Sequence, residues 1–156
     1  MLRFHFHRRL AAWSLPGLVY ADSFVSTRET HEVIARLKVL VAGDPRLSLE
    51  VVDSEFILRY YLRLRGPGYS AVRSSIAWAR LASEGDATRV RVRVVDPAWC
   101  SVVVVMLPVA AFVPRPVGAI LLAFIAFFYV LGVASTRSDG RHIAGFVRSA
   151  ASPIRR

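Results

Sequence analysis

"AWCSVVVVMLPVAAFVPRPVGAILLAFIAFFYVLGVA", residues 98–134, holds a single charged residue, Arg115. Ala98–Val113 and Val117–Ala134 are both uncharged. As helices they would measure about 24 and 27 Å, just short of the ~30 Å hydrocarbon core of a bilayer. Neither stretch has the polar face that a helix of a soluble protein turns to water. A pair of buried core helices is therefore the weaker reading, and the sequence predicts a two-helix transmembrane hairpin over residues 97–134. The turn falls at Pro114, Arg115 and Pro116. Proline lacks an N–H and disfavours helical geometry in the residue before it, so this pair closes one helix and opens the next. Pro108 lies inside the first helix, where a kink is tolerated in lipid if neighbours satisfy the freed carbonyl. Trp99 and Tyr129 fall where interfacial aromatic residues belong.

Composition agrees with a membrane setting. Of 156 residues 54% are hydrophobic, and the formal net charge is nonetheless +10. Mean hydropathy is +0.43, high for a soluble protein. Lys38 is the one lysine among 21 basic residues. Such a bias has a bland origin in a GC-rich genome, but a guanidinium also binds phosphate in a two-pronged way that an ammonium cannot. Arginine placement also sets orientation. Arg115 stands alone at the turn, whereas Arg80, Arg89, Arg91 and Arg93 precede the hairpin and Arg137, Arg141 and Arg148 follow it. The positive-inside bias puts both termini in the cytoplasm and the turn outside.

Before the hairpin, residues 23–96 read as a small cytoplasmic α+β domain. "STRE" at 26–29 has the form of a capping box, and Val33, Ile34, Leu37, Leu40 and Val41 make one apolar stripe of a helix that stops at Gly43. Period-two alternation follows: Leu47, Leu49 and Val51, then Phe56, Leu58, Tyr60, Leu62 and Leu64, then Val90, Val92 and Val94. Asp53–Ser54, "GPG" at 66–68 and "SEGDA" at 83–87 supply turns. Between them, Val72–Ala82 suits a strand better than a helix. The expected fold is an antiparallel sheet of three to four strands with one packed helix, then the transmembrane hairpin, then a short C-terminal helix. That helix, within residues 135–156, would be capped by Asp139 and present Ile143, Phe146, Val147 and Ala150. Residues 1–22, basic and then apolar, imitate a signal peptide loosely. A membrane-surface segment or an early strand presenting Trp13, Leu15, Leu18 and Tyr20 fits them better.

Two strands put Arg59, Arg63 and Arg65, and Arg89, Arg91 and Arg93, opposite their apolar residues. As neighbours they would form one basic sheet surface with Tyr61. Like charges set directly opposite repel, so water or an anion belongs among them. A solvated outer face is the plainest reading. Anionic lipid headgroups come next, since each basic residue near a membrane surface adds ~1 kcal/mol. An acidic protein partner follows; a homo-oligomer is a further partner, through close helix packing at Gly118, Gly132, Ala119, Ala123 and Ala126. Nucleic acid is disfavoured, because RNA-binding sheets need several stacking aromatics and Tyr61 is one.

Catalytic chemistry finds little footing. His5, His7, His31 and His142 are scattered, and Cys100 has no second cysteine to pair with and no base nearby. Phosphate-binding glycine loops, nucleophile elbows and zinc spacings are missing from the sequence. No catalytic residue, metal or cofactor is expected. The leading expectation is a two-pass membrane protein whose basic domain is a non-enzymatic interaction or regulatory module. The alternative is a membrane-bound enzyme or enzyme subunit acting on a lipid or anionic substrate, which requires a pocket joining arginines to His142 or His31.

The layout of an α+β domain, Asp96–Pro97, a short apolar hairpin with proline at its tip and a closing "DGRHIAGFVRSA" segment resembles small uncharacterised bacterial inner-membrane proteins. The resemblance implies a bacterial cytoplasmic membrane and carries no catalytic residues.

Overall fold

Alternating side chains fix the sheet. The structure, a computed structural model, describes residues 18–66 and 69–152, and their side chains except those of 64–71 and 99–101. Residues 1–17, and with them the signal-peptide and surface-segment readings, His5, His7, Trp13 and Leu15, lie outside the described residues. The side chains of Arg65, Trp99 and Cys100 lie outside them too, as does the centre of the "GPG" turn.

β2 (Leu47–Val52) and β3 (Glu55–Gly66) are joined through Asp53, whose positive φ of 54° is one that Asp tolerates better than most residues. β4 (Tyr69–Glu84) and β5 (Ala87–Val95) are joined through Gly85, at φ 60°. A further strand, β1 (Val19–Ser26), pairs with β5 and completes an antiparallel sheet in the order β1-β5-β4-β3-β2. Five strands thus replace the three to four expected. The early strand offered for residues 1–22 is present from Val19 and turns Tyr20 inward, but it runs on to Ser26, an extension the pattern conceals because its inward positions, Tyr20, Asp22 and Phe24, include a carboxylate. That carboxylate is answered by Arg148, 2.9 Å away. The region between 72 and 82 is strand, as expected.

One face of the sheet carries Phe56, Leu58, Tyr60, Ala77, Ala79, Leu81, Val90, Val92 and Val94. The alanines of β4 leave room for two helices on that face. α1 (Thr30–Ala42) buries Val33 and Leu37 there. Its start differs from the expected capping box: Glu29 is the N-cap and makes no side-chain cap bond. Ser26 instead ends β1 and donates to the Ala151 carbonyl at 2.7 Å, a tertiary bond no local motif could announce.

The second helix on that face is the main correction. α2 (Pro97–Phe112) opens at Asp96, whose carboxylate accepts from the Ala98 N–H at 3.0 Å, with Pro97 in the first turn as helix starts favour. α3 (Arg115–Ala151) then runs 37 residues without a break. The expected stop near Ala134 and the fresh start at Asp139 do not occur. No proline follows Pro116 in the helix, and the interior glycines cost only about 1 kcal/mol each relative to alanine. Asp139 is therefore an interior helical residue. The expected transmembrane hairpin with a separate short helix is not what forms: α3 is one rod, and among the described residues it alone is long and apolar enough to cross a membrane. α2, at sixteen residues, packs against its first half through Val103, Ala110 and Ile125. At the turn, Pro114 is the N-cap of α3, and Gly118 lies so near that an added Cβ would sit 3.2 Å from the Ala110 carbonyl oxygen.

Candidate functional site

α3 changes surroundings along its length. Ile143, Ala144, Val147, Ala150 and Ala151 are buried on the sheet, whereas Ile120, Phe124, Phe127 and Val130 are exposed. Only 17% of its most apolar window is buried in the protein. On α2, Val104, Val105, Met106, Leu107, Val109 and Phe112 are likewise exposed. The result is an apolar arm projecting from an α+β base.

The direction of the arm follows from two contacts. Gly140 lies against Tyr20 at the start of β1, and Ala151 accepts from Ser26 at its end. Eleven helical residues rise about 16 Å and six strand residues about 20 Å, so α3 runs nearly along β1. β5 is antiparallel to β1 and ends at the base of the arm. Along β5, Arg93, Arg91 and Arg89 therefore recede from the arm by about 7 Å per step. β3 and β4 do the reverse. Ile76 is level with Val95, the last residue of β5, so the β3–β4 hairpin overhangs the end of β5 as far as the Gly66–Tyr69 pair. Arg63, opposite Val72, and Arg65, opposite Ser70, belong to that overhang.

The outer face of the sheet thus holds Arg59, Arg63, Arg89, Arg91 and Arg93, but β4 lies between the two groups. It contributes Arg80, which stands directly opposite Arg91, and Trp78, which stands opposite Arg93. Three of these charges are offset, Arg59 by Glu50 at 3.6 Å, Arg80 by Glu55 at 3.8 Å and Arg89 by Glu84 at 3.0 Å. Among the described residues, no carboxylate lies within ion-pair distance of Arg63, Arg91 or Arg93. Beneath Trp78, Ile57, Ile76 and Val95 make a small apolar cluster. Beside the overhang, just before β2 begins, a recess of about 370 Å³ opens at the free edge of β3. It is lined by Pro45, Arg46, Tyr61, Arg63 and Val72.

A charged cluster that the sequence did not reveal sits at the root of the arm. Arg73 of β4 lies between Asp96, 2.6 Å from its Nε, and Asp139 of α3. Ser75 Oγ donates to the same Asp139 carboxylate at 2.6 Å. The Asp96 side chain is fully buried and that of Arg73 is 17% exposed. Burial pushes the Asp96 carboxyl above the ordinary carboxylate value, against the pull of Arg73 and the Ala98 N–H. One arginine thus ties the last turn before α2, the middle of α3 and the overhanging strand together. Nothing local in the sequence links positions 73, 96 and 139; only the topology does.

His142 lies tilted against Tyr60, 5.4 Å between ring centroids, and the Arg46 guanidinium sits 5.9 Å from the same ring, on the opposite side of the sheet from the outer-face arginines. His31 lies 3.2 Å from Glu29. It lines an open cavity with Glu29, Glu32, Asp53 and Asp86 that has no arginine in its wall. Among the described residues no group of three His, Cys, Asp or Glu is placed to hold a metal ion.

No family model and no curated protein matches the chain. Several solved structures overlap it loosely, three of them as follows. An 18 kDa protein from Caulobacter crescentus, CC1736, shares 12% identity over 81% of this chain and 98% of its own, with a TM-score of 0.29. TTHA0849 from Thermus thermophilus shares 12% over 78% and 97%, at 0.27. CalU16 from Micromonospora echinospora shares 14% over 86% and 93%, at 0.31. Overlaps this loose carry no argument about activity.

Proposed function

We propose that this chain is a membrane-anchored, non-enzymatic interaction module. Its apolar arm is embedded in a bacterial cytoplasmic membrane, and its basic sheet is held at the cytoplasmic surface. The observation that carries this reading is the contrast along α3, whose C-terminal third is buried in the base while Ile120, Phe124, Phe127 and Val130 face outward. Leaving that much contiguous apolar surface in water is costly at roughly 25 cal/mol per Å². Lipid removes the cost. The arm inserts from the arginine-rich side, so β1 and the C-terminal end of α3 stay with the sheet, in keeping with the positive-inside bias. Arg91 and Arg93, which among the described residues have no carboxylate at ion-pair distance, then favour an anionic counterpart on the outer face.

Flotation of the full chain with membranes after an alkaline carbonate wash tests the anchor. The protein should remain with the lipid. Recovery in the aqueous fraction as a monodisperse species would contradict it.

A further inference from the structure

Of the β5 ladder only Arg93 comes near the bilayer, about 7 Å behind the end of the strand. Arg89 and Arg91 lie about 20 and 13 Å behind the end of β5, beyond the ~8–10 Å over which salt leaves a surface charge effective. Arg63 lies on the other side of that level, on the overhang that flanks the root of the arm. Gly140 of α3 lies on Tyr20, and the apolar run of the helix ends six residues farther out at Ala134, about 9 Å, so Arg63, about 13 Å past the end of β5, comes level with the edge of that run. This sets the free edge of β3 at headgroup depth.

At that edge the recess between Arg46 and Arg63 is open, with the Tyr61 ring and Val72 as its other walls. Asp44 already holds Arg46 by two bonds, 3.0 Å to Nε and 2.8 Å to a terminal nitrogen, and is itself lowered to about 2 by that guanidinium. Arg46 is thereby fixed in place and largely neutralised, while Arg63 is exposed and has no carboxylate at ion-pair distance among the described residues. Val72 is 62% exposed beside it, an apolar contact next to a free cation. A phosphate with an attached acyl chain matches both features.

We infer that the Arg46–Tyr61–Arg63 recess seats the phosphate of an anionic lipid, with Arg63 as its principal contact. This rests on the lipid-embedded arm proposed above.

The test uses the full chain in vesicles of phosphatidylcholine with one-fifth phosphatidylglycerol. The native Cys100 is replaced by serine, and a fluorophore is attached at Ser74→Cys, opposite Tyr61 and outside the recess wall. A headgroup-linked quencher is carried either on phosphatidylglycerol or on phosphatidylcholine. Quenching should favour the anionic carrier by about fivefold, the effect of one basic residue at the surface. Arg63→Gln should abolish that preference, and Arg91→Gln should leave it intact. Equal quenching by both carriers in the parent, or a preference that survives Arg63→Gln, would overturn the inference. So would a preference lost equally with Arg91→Gln. A fluorophore at Phe127→Cys with an acyl-chain quencher separates the two levels. Its quenching alongside a failed preference sinks the lipid seat alone, and its silence sinks the embedded arm as well.

Discussion

Asp96 serves two structural roles that substitution can separate. Its carboxylate caps α2 and pairs with Arg73, and its burial raises its pKa. A carboxyl held above its ordinary value takes up a proton in the folded state before the unfolded chain does. It therefore opposes folding at neutral pH, and the opposition fades as pH falls toward the ordinary value of about 3.9. Unfolding of Asp96→Asn, followed in detergent from pH 4 to 8, should show a flatter pH profile than the parent, since Asn caps as well as Asp. Asp96→Ala should cost about 1 kcal/mol more than Asp96→Asn through the lost cap. Gly140 offers a second test. A Cβ there would overlap Cβ and Cγ of Tyr20, atoms too near the backbone to swing aside. Gly140→Ala should destabilise by about 1–3 kcal/mol, and pairing it with Tyr20→Ala should recover part of the loss, read as a double-mutant cycle in denaturant.

The helices and strands were unequally legible in the sequence. β2, β3 and β5 show clean alternation because one face is apolar and the other charged. α1 shows its stripe for the same reason. β1 is legible only at its start, where Leu18 and Tyr20 suit an early strand; its continuation is concealed because the inward Asp22 is matched from α3, and a carboxylate facing a core breaks any hydrophobic pattern. Arg59, Arg63, Arg89, Arg91 and Arg93 face away from the apolar side, as the alternation predicts. That β4 separates them is a matter of strand order, which alternation does not encode. The length of α3 was missed because the change from apolar to polar at Ser135 looks like an ending. It marks a change of surroundings, with backbone hydrogen bonding continuous through it. Continuity has a consequence, since any motion of the arm is transmitted to the sheet. Ala134→Pro, at an exposed site, removes an interior hydrogen bond and clashes with the preceding turn, a cost of about 3 kcal/mol or more. The variant should lose thermal stability in the sheet itself, measured by near-ultraviolet circular dichroism, although no sheet residue is altered.

Taken as a whole, the molecule has a charged base and an apolar arm locked together by Arg73, Asp96 and Asp139. A buried arginine held by two carboxylates from separate elements adds little net stability but fixes geometry, because any misdocked arrangement leaves a charge unpaired. On the proposed placement, that lock would set the angle at which the sheet meets the membrane, and hence which arginines would reach it. The account turns on what surrounds the outward side chains of α3. Spin labels at Ile120, Phe124, Phe127 and Leu131, one per variant in a Cys100→Ser background, report this directly by their collisions with oxygen and with a water-soluble nickel complex in liposomes. At all four positions oxygen should dominate, and at Arg141 the nickel complex should. Dominance of the nickel complex along the whole helix, or exclusion of both reagents by protein contacts, would contradict the embedded arm.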